Sequence, residues 1–168
     1  MVLDMRAGHW SDHVSRKLRA PTTNELAKLS DLCFRSKAMW GYDTAFMEAC
    51  RRELTFAPCD LHSTQIAVVE EDGNLVGVAQ IKVLGDQADL LKLFVDPSAL
   101  HTGIGAALLA WAAEVAQEMG AKQLVIEADP GAAPFYRRMG ARDVGHAASG
   151  SIPGRVLPKL MIDVKVAG

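Results

Sequence analysis

The sequence predicts an α/β (α+β) fold with a mixed, mostly antiparallel central sheet of about six to seven strands, including one parallel pair, and about four flanking helices. An Asp-Gly pair at Asp72-Gly73 separates two β-rich runs within residues 65–83, which is a strong hairpin signal. Further along, a strand, a helix and a strand follow one another, which implies a parallel pair joined by a right-handed crossover. The sheet therefore changes from antiparallel to parallel at the predicted strand Ala88–Val95.

The first predicted elements are a short strand at residues 18–20 and two helices. Thr22 and Glu25 have capping-box spacing, so the first helix begins there and continues to about residue 40. Asp43 or Thr44 can cap the second helix. Its apolar residues repeat at helical spacing: Phe46, Met47, Cys50 and Leu54.

The second half of the chain continues the alternation of strands and helices. A helix is predicted from about Thr102 to Met119, with Gly120 as its C-terminal stop, followed by the apolar strand "KQLVIEA". A shorter helix lies in "DPGAAPFYRRMGA", and two strands close the chain near 141–146 and 156–164. Pro158 predicts an irregular or edge position for the last strand, because proline cannot donate a ladder hydrogen bond.

Length and composition predict one globular domain. Of the 168 residues, 49% are hydrophobic and 23% are charged, and we expect residues 17–168 to form a single domain after a loose extension at 1–16. His9 and His13 in that extension have helical metal-ligand spacing, but in a polar tail they are assigned no site. The net charge of −2 argues against nonspecific nucleic-acid binding.

The three cysteines, Cys33, Cys50 and Cys59, are odd in number and lack close pairing, which favours a reducing compartment over a disulfide framework. No apolar run approaches the roughly 18 residues that span a bilayer, and the polar start lacks the hydrophobic core of a signal peptide. The sequence therefore predicts a cytoplasmic protein without membrane contact.

A glycine pair stands where the long helix should begin, in "HTGIGA". Gly103 and Gly105 cost roughly 1 kcal/mol each relative to alanine, so another role should offset that cost. A helix N-terminus presents unpaired N–H groups and binds phosphate where no Cβ blocks the approach. The pair can also serve only to bring the helix close to a strand. Its position between the strand end "LFVDP" and an amphipathic helix favours an anion site.

Two nucleotide-binding classes fit this glycine pair poorly. The dinucleotide fingerprint G-x-G-x-x-G requires a third glycine, and Leu108 occupies that place. A phosphate loop requires Gly-Lys-Ser/Thr, which is absent from the sequence.

Two motifs together resemble the GNAT superfamily of acyl-CoA-dependent N-acetyltransferases. "VDPSALHTGIGAALL" resembles the family's Q/R-x-x-G-x-G/A loop between a strand and a helix, and "APFYRRMGA" resembles its aromatic pair before a helix-ending glycine. The resemblance covers Leu18 to about Val164 in element order and Leu93 to Ala141 in motif. "SKAMWGYD" and "SGSIPGRVLP" are similar to an uncharacterised bacterial branch of the family.

The resemblance implies acetyl-CoA as co-substrate, with no metal, and a parallel strand pair that splays apart beyond "LFV". The implied coenzyme-binding residues are Leu93, Phe94, Val95, His101, Thr102, Gly103, Ile104, Gly105, Ala106, Asp129, Phe135 and Tyr136. The family's Gln or Arg falls on Leu100, so a side-chain donor to the diphosphate is missing. His101 either replaces it in part or is an exposed loop histidine.

The same resemblance assigns the proton donor for the leaving thiolate to Tyr136, although a buried structural tyrosine is the competing interpretation. A phenol with pKa near 10 can protonate a thiolate whose parent thiol has pKa near 8.5. Glu127 at the end of "LVIE" is the candidate base, directly or through water. Asp129 is the second choice, and its alternative role is to cap the following helix.

The acceptor wall is expected from the two early helices and the loop before the last strand. The candidate substrate-binding residues are Trp40, Tyr42, Asp43 and Ser151, although aromatic residues at such a junction also commonly seal the core. Three further cations can bind an acidic acceptor or simply be solvated: Arg35, Lys37 and Arg155.

The predicted function is transfer of an acetyl or related acyl group from acyl-CoA to a primary amine by direct attack in a ternary complex. The alternative is a sensor that binds acyl-CoA without turnover. The predicted partners are a small-molecule amine or a protein or peptide amine, with no nucleic acid and no membrane, and a homodimer is possible.

Overall fold

The computed structural model describes residues 15–164. The first 14 residues of the predicted extension, with His9 and His13, lie outside the described residues, as do residues 165–168. Arg16, which the prediction placed at the end of the extension, is the first residue of the first strand.

The described residues form a seven-stranded sheet and five helices. The strands are β1 (Arg16–Arg19), β2 (Gln65–Glu71), β3 (Asn74–Leu84), β4 (Gln87–Val95), β5 (Gln123–Glu127), β6 (Arg142–Ala148) and β7 (Val156–Asp163). The helices are α1 (Leu26–Ala38), α2 (Thr44–Leu54), α3 (Asp60–Ser63), α4 (Ile104–Glu118) and α5 (Ala133–Arg138). The predicted mixed sheet is confirmed, and the one-turn helix α3 was not predicted.

The strand order is β1-β2-β3-β4-β5-β7-β6, and β4 with β5 is the parallel pair. Local signals account for several boundaries. Asp72 and Gly73 have φ of 50° and 84°, the left-handed values that a tight two-residue hairpin turn requires. Asp43 caps α2 by accepting a hydrogen bond from the Phe46 N–H at 2.8 Å, and the Glu25 carboxylate accepts one from the Thr22 N–H at 2.9 Å.

Helices cover both faces of the sheet. Val68 and Val78 pack in one cluster with α1 and α2, whereas their neighbours Ala67 and Ala79 pack on the other face with residues of α4. This alternation follows from the two-residue side-chain period of a strand. The face of α4 also carries α5, whose Tyr136 belongs to a third cluster with α4, β4, β5 and β7. One face of the sheet is therefore covered by α1 and α2 and the other by α4 and α5.

The last strand has an interior position, so of the two positions predicted from Pro158, irregular or edge, the edge position is wrong. β7 lies between β5 and β6, and β6 is the edge strand. Proline is tolerated there because β5 ends beside it: Lys159 pairs with Glu127, the last residue of β5, and the Pro158 carbonyl accepts a hydrogen bond from Ala128 N–H at 3.0 Å. The missing proline N–H thus falls beyond the regular β5 ladder.

The parallel strands diverge halfway along β4. Their pairing runs from Gln87 with Gln123 to Leu90 with Ile126 and ends there. A register shift between β3 and β4 falls at the same place, because Lys92 pairs with Gln80 while Leu90 pairs with Ile81. A bulge of this kind bends a strand. Beyond it β4 follows β3 to Val95, while β5 follows β7, and a gap opens between them.

No helix within residues 15–164 is long and apolar enough to cross a membrane. The three cysteines are free thiols, with Cys33 and Cys50 buried and Cys59 exposed.

Candidate active site

A cleft of about 860 Å³ occupies the gap between the diverging strands β4 and β5. The predicted residues that line it come from five parts of the chain: Trp40, Leu93, Phe94, Val95, His101, Gly103, Ile104, Gly105, Ala106, Glu127, Asp129, Phe135 and Tyr136. The strand splay thus brings together the predicted coenzyme residues, the candidate acid and the candidate base.

Six predicted residues do not line the cleft, among them the cations Arg35 and Arg155, which are described below. Asp43 is the cap of α2, and the Thr102 hydroxyl donates to the Ala99 carbonyl at 2.5 Å. The Ser151 N–H donates to the Ser149 hydroxyl at 3.3 Å inside the β6–β7 loop. Tyr42 belongs to a polar cluster beside the cleft that is described below.

The N-terminus of α4 presents backbone donors to this cleft. Gly103 is the N-cap, and no side chain caps the helix. The Ala107 N–H donates to the Gly103 carbonyl at 3.1 Å, whereas the N–H groups of Ile104, Gly105 and Ala106 have no hydrogen-bond partner among residues 15–164. Such a row of unpaired N–H groups, with the positive end of the helix dipole, is suited to an anion.

The two glycines at this helix start serve different needs. Gly103 has φ of +86° and open space around it, so its requirement is conformational. Gly105 has an ordinary φ, but a Cβ there would lie 3.4 Å from the Phe135 ring and 3.7 Å from Val95. These distances are ordinary van der Waals contacts, so close packing alone does not require glycine at position 105, and the open N–H groups are those of Ile104, Gly105 and Ala106.

The turn that precedes α4 is held by side chains from elsewhere in the chain. Arg16 Nη1 donates to the Thr102 carbonyl at 2.9 Å and so ties the turn to strand β1. Asp96 accepts from Ser98 N–H at 3.0 Å and from Arg35 Nη2 at 2.7 Å. Arg35, a predicted cation for an acidic acceptor, is thus paired with a carboxylate of the turn before α4. Leu100 offers no donor and is exposed.

Tyr136 is 6% exposed and lies at the cleft with its ring edge toward Phe135, the two ring centroids being 5.2 Å apart. Burial raises the pKa of its hydroxyl above the usual value, so the phenol keeps its proton at neutral pH. Its oxygen has no hydrogen-bond partner among residues 15–164, and no side-chain oxygen in that part of the chain is both fully buried and unpaired. The hydroxyl is therefore reachable from the cleft.

The two candidate bases have different surroundings. Glu127 is exposed at the end of β5, and its side-chain carboxylate makes no hydrogen bond or ion pair with residues 15–164. Asp129 accepts hydrogen bonds from Tyr42 Oη at 2.7 Å, Gly131 N–H at 2.9 Å and Arg155 Nη2 at 3.2 Å. Burial pushes the pKa of Asp129 up, but these bonds and nearby Lys37 outweigh it and hold the pKa below its usual value. The Asp129 carboxylate thus has its partners within the fold, whereas the Glu127 carboxylate has none among residues 15–164.

Tyr42 and Arg155 form the rest of this polar cluster. Arg155 Nη2 donates to the Tyr42 hydroxyl at 2.7 Å, and its guanidinium lies 4.9 Å from the Phe46 ring centroid. Lys37 Nζ lies 3.6 Å from Asp129 Oδ2. Burial, followed by the hydrogen bond to Asp129, raises the pKa of Tyr42 to about 12. The cluster joins α1, α2 and the loops after β5 and β6, so it stabilises the part of the cleft that Lys37 and Asp129 line.

Trp40 covers the turn after β5. Its ring carbons lie 2.8 Å from the position that a Cβ on Gly131 would take, and the side chain remains 52% exposed. Trp40 therefore lines the cleft beside the turn after β5 and keeps part of its surface free.

The sequence did not indicate a second polar group in the cleft. Lys92 on β4 lines the cleft, and its Nζ donates to Gln80 Oε1 on β3 at 2.9 Å. The one sequence signal was the position of Gln80, a polar residue in the middle of a β-rich run. In the structure it is 1% exposed. Between residues 15 and 164 no group of three or more His, Cys, Asp and Glu side chains could hold a metal ion.

Comparisons with known proteins agree with this geometry. A family model described as "Acetyltransferase (GNAT) family" matches residues 24–141. The chain is 40% identical over 77 residues to a protein named mycothiol acetyltransferase from Clavibacter sepedonicus, which covers 44% of this chain and 25% of that protein. The chain thus spans about a quarter of the length of the curated relatives it matches.

Solved structures share the fold at low identity. The PaiA N-acetyltransferase of Thermoplasma acidophilum, solved in complex with coenzyme A, has a TM-score of 0.73 at 18% identity over 89% of this chain and 99% of that one. The ribosomal-protein-S18-alanine N-acetyltransferase of Escherichia coli has a TM-score of 0.68 at 18% identity over 92% of this chain and 97% of that one. At such identities the likeness concerns the fold alone.

Proposed function

The chain belongs to the GNAT acetyltransferase family, and from that premise we propose that it transfers an acetyl or related acyl group from acyl-CoA to a primary amine by direct attack in a ternary complex. The acceptor is a small-molecule amine or an amine of a peptide or protein. A homodimer and a cytoplasmic location remain predictions, the latter supported by the free thiols of the described chain.

One observation carries the proposal: unpaired helix N–H groups and an unpaired strand edge face the same cleft. The N–H groups of Ile104, Gly105 and Ala106 can bind the diphosphate of coenzyme A. The splay leaves the β5 side of β4 open from Leu91 to Val95, where the backbone of Leu93 and Val95 can pair with the pantetheine amides. A ligand with a diphosphate at one end and amides along its length matches both features.

The chemistry needs two proton transfers. The amine nitrogen attacks the thioester carbonyl carbon, the C–S bond breaks, and the leaving thiolate takes the proton of the Tyr136 hydroxyl. The attacking amine loses its proton to Glu127, directly or through water. For an amine of pKa about 10.4, deprotonation at pH 7 costs roughly 4.6 kcal/mol, so an unpaired carboxylate within the cleft contributes to the rate.

Titration with acetyl-CoA tests the binding half of the proposal. At about 100 times Kd the ligand adds roughly 2.7 kcal/mol of stability, which for a domain of this size raises Tm by about 5 to 10 °C. Pantetheine, which lacks the diphosphate, is the matched ligand control and should give a much smaller shift. Equal shifts, or none with acetyl-CoA, would contradict the assignment of the α4 N-terminus.

Release of coenzyme A thiol in the presence of amines tests the catalytic half. The panel includes amino acids, their amides, polyamines, aromatic amines and peptides with free N-termini. Transfer to any of them supports the enzyme. Tight acetyl-CoA binding without transfer to any member of the panel would favour the acyl-CoA sensor.

A further inference from the structure

Lys92 is a cation of the cleft that has no role in the reaction proposed above. It lies on β4 between Leu91, where the strand bulges, and Leu93, the expected partner of the pantetheine arm. Its Nζ lies 4.7 Å from the Phe56 ring centroid. Phe56 and Phe94 both pack in the cluster formed with α1 and α2, so the Lys92 side chain lies on that face of the sheet.

A buried relay fixes the position of the Lys92 ammonium. The Thr64 hydroxyl donates its hydrogen bond to the Asp60 backbone carbonyl at 2.5 Å. Its oxygen can therefore only accept from Gln80 Nε2, which lies at 3.1 Å. The Gln80 amide is thereby oriented with Oε1 toward Lys92 Nζ at 2.9 Å. Gln80 and Thr64 are 1% and 7% exposed, so the relay cannot rearrange toward water. This chain of hydrogen bonds engages one of the three N–H donors of the Lys92 ammonium and leaves the other two unused.

The charge of Lys92 has no close counter-ion. No carboxylate among residues 15–164 lies within 4.0 Å of its Nζ, and the attractive charges that act on it, Asp60 and Glu53, lie beyond that distance. Burial lowers the pKa of Lys92. By contrast, Lys37 in the same cleft is paired with Asp129 at 3.6 Å. A partly buried ammonium with unused donors is stabilised by an anion that enters the cleft.

The face of the sheet indicates where that anion comes from. Leu93 and Val95 pack against α4, the helix whose N-terminus is placed to bind the coenzyme diphosphate, whereas Phe94 packs against α1 and α2. Lys92 shares the face of Phe94 because the side chains of residues two apart on a strand point the same way. A group that reaches Lys92 therefore approaches from the acceptor side.

We infer, on the basis of the proposed acyl transfer, that Lys92 binds a carboxylate of the acceptor. The acceptor is then an amine that carries an acidic group, such as an amino acid, and not a polyamine or a simple aromatic amine. The alternative is that Lys92 only satisfies Gln80 and has no ligand, in which case the charge of the acceptor does not matter at this position.

Two bisubstrate compounds isolate the charge. In both, the sulfur of coenzyme A is joined through –CH2–CO– to the amino nitrogen of glycine, which ends in a carboxylate in one compound and in a carboxamide in the other. Isothermal titration calorimetry gives Kd for each compound and for coenzyme A. The proteins are the wild type, Lys92→Met, Lys92→Gln and the control Lys28→Met, which removes an exposed lysine on α1 outside the cleft.

We expect the wild type and Lys28→Met to bind the carboxylate compound about 10- to 100-fold more tightly than the carboxamide, as for one hydrogen bond to a charged group. Both Lys92 variants should lose this preference while their Kd for the carboxamide and for coenzyme A stays unchanged, which also shows that they are folded. Equal binding of the two compounds by the wild type, or a preference that survives in the Lys92 variants, would overturn the inference. Failure of coenzyme A itself to bind the wild type would instead refute the proposed function, and the inference with it.

Discussion

Gly77→Ala is expected to displace the first turn of α4 and weaken acetyl-CoA binding, although Gly77 is on β3 and does not line the cleft. A Cβ at this position would lie 2.7 Å from Ile104 Cγ2 and 3.0 Å from Leu108 Cδ1. Gly77 has no positive φ, so the effect is steric alone. Ile104 is the first residue of α4, and its β-branched side chain has one favoured rotamer in a helix, so its methyl group cannot turn away cheaply.

The size of the effect follows from this contact. The distance between the new Cβ and Ile104 Cγ2 must increase from 2.7 Å to the 3.4 Å at which ordinary contact begins. The start of α4 must therefore move by about 0.7 Å. Overpacking of this kind costs about 1 to 3 kcal/mol, which lowers Tm by about 2 to 12 °C. The same movement shifts the N–H groups of Ile104, Gly105 and Ala106 away from the diphosphate. Loss of one charge-assisted hydrogen bond there raises Kd about 10-fold or more.

Calorimetric titration with acetyl-CoA and thermal melting measure the two effects together. Leu29→Ala is the control, because Leu29 lies on α1, is fully buried in the cluster that α1 forms with α2 and the sheet, and its truncation costs about 2 to 5 kcal/mol without touching α4. It should lower Tm at least as much and leave Kd unchanged. Gly77→Ala/Ile104→Ala removes the clashing methyl group and should recover part of the lost affinity. A Gly77→Ala protein with lowered Tm and the Kd of the wild type would refute the reasoning.

Three further substitutions test the proposed proton donor, the turn before α4 and the polar cluster around Asp129. Tyr136→Phe should slow acetyl transfer about 10- to 1000-fold, measured as thiol release, without changing the Kd of acetyl-CoA, because only the proton is lost. Gly103→Ala should weaken acetyl-CoA binding, since φ of +86° costs a residue with a Cβ about 1 to 2 kcal/mol. Asp129→Asn should lower stability by about 3 kcal/mol at pH 7, measured by denaturant unfolding, because Lys37 and Arg155 lose their counter-ion. Folding lowers the pKa of Asp129 in the wild type. The stability advantage of the wild type over Asp129→Asn is therefore full above about pH 4 and is lost as the pH falls through the folded pKa.

Each of these three predictions has an outcome that would contradict it. An unchanged rate in Tyr136→Phe would remove the acid role. Gly120→Ala is the control for Gly103→Ala: it has φ of +91° and open space at the far end of α4, so it should lower Tm without raising Kd. A stability difference between wild type and Asp129→Asn that does not shrink at all as the pH falls below about 4 would show that the carboxylate charge is not its cause.

The elements that were predicted from the sequence have signals within a few residues of one another. The turn at Asp72-Gly73, the Asp43 cap and the Gly120 stop all depend on backbone conformation next to the residue concerned. The parallel pair followed from the order of elements and from the handedness of crossovers. The interior place of β7 was not predicted, because Pro158 is tolerated only where β5 has ended, and that depends on the assembled sheet.

The polar groups that shape the acceptor end could not be predicted for the same reason. Arg155 lies 113 residues from Tyr42 and 26 from Asp129 in sequence, yet the three form one hydrogen-bonded group. Lys92 and Gln80 are 12 residues apart and meet only because β3 and β4 pair with the register shift at this point. Sequence patterns predicted that a coenzyme cleft exists, and tertiary contacts determine which charges face the acceptor.

Because the exposed Leu100 in the turn before α4 has no side-chain donor, the proposed binding of the diphosphate depends on the backbone. A side-chain donor is absent there, but His101 and Gly103 have φ of +62° and +86°, and Arg16 holds the turn through the Thr102 carbonyl. A non-glycine residue in the left-handed region costs about 1 to 3 kcal/mol, so the fold maintains a strained conformation at His101. Because the N–H groups belong to the backbone, coenzyme affinity should respond more to changes in this conformation than to replacement of any side chain that lines the turn.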